Sequence, residues 1–87
     1  MKLSKKDLVK ALHTAGKDIK VLEKLLVHLL TPKEQDEFAV RVEILKRMLR
    51  GDDQRSIAKE LKIGIATVTR GSREIRTMSS KIKALFK

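Results

Sequence analysis

The sequence has no cysteine, no tryptophan and no tyrosine, with only two phenylalanines and one proline. Without cysteine there is neither a disulfide framework nor a thiolate metal site, which fits a reducing compartment. Without large aromatic side chains, aliphatic residues must supply most of the burial. At 87 residues one small domain is expected, and a chain of this size buries only about two-thirds of its unfolded surface. A partner chain would supply more. Nowhere is there an uncharged apolar run long enough to span a bilayer. The first residues, Met1-Lys2-Leu3-Ser4-Lys5-Lys6-Asp7, lead into no continuous apolar signal region. A cytoplasmic protein is the expectation.

Acids are scarce as well. Lys and Arg total 21 against 11 Asp and Glu, a formal net charge of +10. From Leu61 to Lys87 there are seven bases (Lys62, Arg70, Arg73, Arg76, Lys81, Lys83, Lys87) and one acid, Glu74. A polyanion is the natural partner of such a surface. Anionic lipid competes, but this basic half lacks the broad apolar face of a membrane-surface helix. Nucleic acid is therefore expected, and a membrane is not.

Catalytic signals are thin. His13 and His28 each stand alone in helical segments, where a packed or surface histidine is far commoner than a base or ligand. The glycines at 16, 51, 64 and 71 are scattered, so no loop cradles a phosphate. Asp52-Asp53 resembles a metal pair, but helix capping explains it without further assumption. Neither an enzyme nor a metal site is expected.

Periodicity predicts an all-helical chain. Ser4 and Asp7 cap a first helix whose inner face is Leu8, Ala11, Leu12 and Ala15, with Gly16 at its end. Asp18 starts a second helix, Ile19 to Leu30, that is apolar nearly all round. A helix of that kind is buried on several sides, and in so short a chain this predicts a homodimer. Thr31-Pro32-Lys33-Glu34 is a helix start with the pattern of a capping box. The helix it opens carries Phe38, Val42, Leu45 and Leu49 on one face, widened by Ile44 and Met48, and Gly51 sits where a C-terminal glycine belongs. Residues 77–80 read as a loop, and a last short helix, Lys81 to Phe86, offers Ile82, Leu85 and Phe86 to the core.

Between these lies the stretch on which function turns. Ile57 and Leu61 share a helical face, small Ala58 permits close approach, and Gly64 permits a sharp turn. Ile65, Val68 and Ile75 then give a second helix its inner stripe, leaving Ala66, Thr67, Thr69, Arg70 and Arg73 outward. A thin face of small, hydroxyl and cationic groups suits a DNA major groove. The bland alternative is an ordinary packed helical hairpin, and the surrounding positive charge favours the helix-turn-helix. Gln54, Arg55 and Lys59 are expected to hold the phosphate backbone, with Arg55 within reach of a guanine. Ile65, Ala66, Thr67 and Thr69 are expected to face the bases, with Arg73 among the DNA-binding residues.

Four segments also resemble the tryptophan repressor family. They are Leu29-Leu30-Thr31-Pro32, Arg41-Val42, Leu49-Arg50-Gly51 and, the specific one, Gly64-Ile65-Ala66-Thr67-Val68-Thr69-Arg70-Gly71-Ser72. The resemblance covers His28 to Ile75. It implies an intertwined helical homodimer with residues 1–50 as dimerisation core, 52–76 as reading head and 77–87 as a C-terminal short helix. It also implies L-tryptophan as co-repressor. Arg41 and Arg70 would flank the indole, with Arg70 meeting the carboxylate. Leu30 and Thr31 would offer backbone acceptors to the amino group, while Thr67 and Gly71 line the wall. The alternative for both arginines is pairing with DNA phosphates or with acids such as Glu43. His28 stands where the family has an aliphatic pocket residue, and Glu74 where it has a serine near the ligand amino group. Lys62 replaces a usual glycine, which implies either a different backbone or about 1 kcal/mol of strain.

The expected function is thus a sequence-specific transcriptional repressor, activated by L-tryptophan and acting on tryptophan-related operators. Two other classes compete with it. One is a DNA-binding or architectural protein that needs no ligand or takes another. The other is a basic helical module that binds protein or RNA.

Overall fold

The computed structural model describes residues 2–87, and those residues form helices and no strand. In chain order the helices are α1 (Lys5–Ala15), α2 (Ile19–Leu29), α3 (Pro32–Leu49), α4 (Gln54–Leu61), α5 (Ile65–Thr77) and α6 (Ser80–Lys83), followed by a 3-10 turn, Ala84–Phe86. No helix among the described residues is long and apolar enough to cross a membrane.

Local chemistry sets most of the boundaries. A helix start leaves backbone N–H groups without partners, and short polar side chains satisfy them. Ser4 Oγ accepts from the Asp7 N–H at 3.1 Å, and Asp18 from the Lys20 N–H at 3.0 Å. At α3 the capping box closes in both directions. Thr31 Oγ1 accepts from the Glu34 N–H at 3.1 Å, and Glu34 Oε1 accepts from the Thr31 N–H at 2.9 Å. The far end of α3 is a Schellman turn. There Gly51, at φ 101°, donates to the Met48 carbonyl at 3.0 Å, and Asp52 donates to that of Arg47 at 3.0 Å.

The chain packs as two compact units, one ending at Asp36 and the other running from Glu37 to Lys87, so α3 begins in the first and ends in the second. In the first unit α1 lies against α2, with Ala15 buried and Leu12, Leu22 and Leu25 half-buried. Leu8 and Ala11, expected on the inner face of α1, are exposed, because α2 covers only the end of that face nearest the turn. No residue of α2 is buried, and Ile19 and Val27 are 71 % and 60 % exposed. The helix that is apolar nearly all round therefore keeps most of its surface in water within a single chain.

The second unit has a small aliphatic core of Ile44, Ile57 and Val68, with Val40, Met48, Ala58, Leu61 and Ile63 packed against it. Each fully buried aliphatic side chain of this kind stabilises by about 1.5–3 kcal/mol. The inward face of α3 differs from the expected one. Val40, Ile44 and Met48, four apart, point inward, whereas Phe38 and Val42 are exposed and Leu45 and Leu49 half-buried. Helix α3 carries two apolar stripes, and the α4–α5 pair covers only the one around Ile44. The C-terminus also departs from expectation. Phe86 is half-buried, but Ile82 and Leu85 are exposed, since α6 is a single turn with little to pack on.

Candidate nucleic-acid interface

Helices α4 and α5 are joined by three residues, Lys62, Ile63 and Gly64. The sharp reversal falls on Lys62, which is left-handed at φ 56°, ψ 47°. Its N–H donates to Lys59 O at 3.3 Å and that of Ile63 to Ala58 O at 3.0 Å, a second Schellman turn. The glycine-like backbone is therefore retained with a lysine in it. Gly64, expected to make the turn, has an ordinary extended conformation (φ −68°, ψ 144°) and serves as the N-cap residue of α5.

The inner side of α5 is made by buried Val68 and half-buried Gly71, Ser72 and Ile75. Ile65, expected in that stripe as well as at the bases, is 48 % exposed. As the first residue of α5 it projects past the turn, with no helix above it to cover it. Ala66, Thr67, Arg70 and Arg73 are all exposed, so the small and cationic face is free. Thr69, expected outward, is half-buried instead, because its hydroxyl donates to Gln54 Oε1 of α4 at 2.7 Å. Two residues expected to touch DNA separately are thus tied to each other. Arg55 and Lys59, one turn apart on α4, are exposed.

Asp53 caps α4, accepting from the Ser56 N–H at 2.9 Å and the Ser56 hydroxyl at 2.8 Å. The backbone N–H of Ser56 holds the Asp53 carboxyl below its ordinary value. Asp52 does not cap; it forms a two-pronged pair with Arg50, at 2.9 and 2.7 Å. That pairing lowers the Asp52 pKa, with the Arg50 hydrogen bond as the chief cause.

Two contacts seat the pair on α3. A Cβ built on Gly71 would lie 2.7 Å from Ile44 Cγ2, so the absent side chain is what lets α5 approach. The half-buried guanidinium of Arg47 donates from Nε to Glu43 at 2.9 Å and from Nη1 to Glu60 on α4. Its hydrogen bond to Glu43 pulls that carboxyl below its ordinary value. Neither Arg47 nor Glu60 stood out in the sequence. The four-residue spacing of Glu43 and Arg47 is a local signal, but Glu60 joins them only through the fold.

The residues singled out for a small ligand divide between the two units. His28, Leu30 and Thr31 lie in the first; Arg41, Thr67, Arg70, Gly71 and Glu74 lie in the second. His28 and Thr31 are exposed and Leu30 is half-buried. The Leu30 carbonyl accepts from Gln35 Nε2 at 3.1 Å, and the Thr31 carbonyl from the Gln35 N–H at 2.9 Å. Each keeps a second lone pair. Arg41 stacks over the Phe38 ring, 5.3 Å from its centroid. Glu43, a competing partner considered for Arg41 and Arg70, is taken by Arg47.

The family model for the Trp repressor protein matches residues 4–87. The chain belongs to the Trp repressor family. This is a family of transcription regulators and not of enzymes. The chain is 44% identical over 66 residues to a Vibrio campbellii protein named Trp operon repressor homolog, an overlap covering 75% of this chain and 66% of that one. A Vibrio parahaemolyticus protein of the same name is 44% identical over 66 residues, covering 75% and 64%. The homolog from Vibrio cholerae is 44% identical over 63 residues, covering 71% and 61%. The overlap thus spans a little under two-thirds of each relative's length. The match from residue 4 onward takes in α1, most of α2 and α6, which lie beyond the segments that carry the resemblance in the sequence.

Proposed function

We propose that this chain is a dimeric helix-turn-helix repressor that binds operator DNA and takes L-tryptophan as co-repressor. What supports the reading most is the exposed α5 face, Ala66, Thr67, Arg70 and Arg73, within a member of the Trp repressor family. Residues 52–76 serve as the reading head, with α5 in the major groove. Arg55, Lys59 and Arg73 meet phosphates, while Ile65, Ala66 and Thr67 meet base edges. Gln54 and Thr69 act together, the hydroxyl orienting an amide whose nitrogen is free to donate. Residues 1–50 form the dimerisation core, since α2 exposes apolar surface that water alone would leave uncovered. Residues 77–87 supply the C-terminal short helix. The protein works in the cytoplasm, where its DNA is.

The donor set suits an aromatic amino acid. Arg41 and Arg70 are exposed and form no ion pair among the described residues, and a guanidinium both stacks on rings and pairs with carboxylates. Leu30 and Thr31 keep carbonyl lone pairs for an ammonium, Glu74 adds a carboxylate for it, and Thr67 and Gly71 would border the ring. His28 and Glu74 bear on which amino acid is preferred. When bound, tryptophan supplies a rigid ring and a zwitterion that hold these side chains in one arrangement.

The reading head is tested on duplexes that the wild type enriches from a random library. Lys59→Ala weakens all duplexes alike and flattens the salt dependence, whereas Ala66→Glu abolishes selection. Intact selection by Ala66→Glu would show that the reading helix is misplaced. Equal DNA affinity with and without amino acids would favour the ligand-independent reading, and RNA or protein that outcompetes duplex DNA would favour the interaction module.

A further inference from the structure

We propose that Arg47 is a positioning residue for the reading head, pinning α4 to α3 at one angle through Glu60. The inference rests on the DNA-reading assignment above. The contact of α4 and α5 with α3 is aliphatic, made by Ile57 of α4 and Val68 of α5 against Ile44 of α3. Burial of that kind is non-directional, so beyond the close approach of Gly71 to Ile44, which locates α5, it holds the head down without setting the rotation of α4. Direction comes from the charges. Arg47 is half-buried on α3, and Glu43, one turn earlier, holds its Nε at 2.9 Å. With one side of the guanidinium fixed, Nη1 is aimed across at Glu60 of α4. A planar guanidinium serves two acids in set directions, which a lysine ammonium does not.

The place of Glu60 is what ties this contact to DNA. It is exposed and follows Lys59 on the helix assigned to phosphate contacts. An acid there repels DNA, so its presence calls for a compensating role. Holding α4, and with it Arg55, Lys59 and the start of α5, in register for the groove is that role. Thr69, bonded to Gln54, carries the constraint from α4 into α5.

The test compares binding to the enriched duplex and to a scrambled duplex of the same composition. Glu60→Gln removes one negative charge, so charge alone predicts tighter binding to both. The clamp predicts weaker binding to the enriched duplex, by about two- to fivefold per head as for a partly exposed ion pair, with no loss on the scrambled one. Arg47→Lys keeps the charge and loses the fork, and should lower the ratio of the two affinities by a similar factor. Combining Arg47→Lys with Glu60→Gln should lower that ratio no further than either change alone. Tighter binding of Glu60→Gln to both duplexes, or losses that add, would overturn the proposal. If the wild type enriches no duplex, the DNA reading itself falls, and hydrogen exchange then decides the clamp. Faster exchange of the Ile57–Leu61 amides, equal in both single variants, upholds it, and unchanged exchange refutes it.

Discussion

Gly71 of α5 and Ile44 of α3 meet so closely that a methyl group on the glycine would lie 2.7 Å from Ile44 Cγ2. That approach brings the second helix of the α4–α5 pair onto the only stripe of α3 that the second unit buries.

Gly71→Ala is therefore expected to destabilise the protein, although alanine is the better helix former. Overpacking at such a contact costs about 1–3 kcal/mol, more than the roughly 1 kcal/mol gained in helix propensity. Ile44→Val does not relieve it, since valine keeps the clashing Cγ2 methyl. Urea denaturation measures the change; a midpoint at or above that of the wild type would mean the two helices are not so close.

Lys62 holds the left-handed position that a glycine adopts without steric cost. Lys62→Gly should raise stability by about 1 kcal/mol, while Gly64→Ala, in ordinary backbone with open space around it, should change it by less than about 0.5 kcal/mol. Thermal melts of the two variants separate the roles. The reverse ranking would place the turn at Gly64.

The helix caps make stability depend on acid. Thr31 holds Glu34 below the ordinary carboxyl range through its backbone N–H, and the Ser56 N–H does the same for Asp53. The unfolded chain, with ordinary values, takes up these protons first as pH falls. The stabilisation is thus complete above the ordinary range and is lost as pH drops through the lowered folded values. Asp53→Asn keeps an acceptor at the cap but cannot titrate. Its melting temperature should fall less steeply than that of the wild type from about pH 5 to about pH 3. Identical slopes would mean that Asp53 contributes nothing to the acid dependence.

What the sequence revealed and what it hid follow one division. Caps depend on residues two to four apart, so Ser4, Asp18, the Thr31–Glu34 box and Asp53 could all be read directly, as could the aliphatic spacing of Ile57, Leu61 and Val68. Choices made by tertiary packing could not. Helix α3 offers two apolar stripes, and only the seating of α5 selects Ile44 over Phe38 and Val42. The left-handed turn went to Lys62 rather than Gly64 because hydrogen bonding to Ala58 and Lys59 sets where α4 stops. Thr69 turned inward because Gln54, fifteen residues earlier, accepts its proton. Arg47 and Glu60 are joined across thirteen residues by the same kind of contact. Of the α5 residues expected to face DNA, the exposure of Ala66, Thr67 and Arg73 was readable from helical spacing alone.

The most direct measurement is the affinity of the wild-type protein for its enriched duplex with and without saturating tryptophan, alongside other aromatic amino acids and histidine. Ligand that orders the head before binding should tighten DNA affinity by about 5- to 150-fold, the usual range for coupling between two sites. Arg41→Ala should remove most of that gain while leaving ligand-free binding nearly unchanged, because Arg41 lies on α3 and not on α5, the helix proposed to enter the groove. DNA affinity that is the same with and without every one of these amino acids would contradict the co-repressor reading.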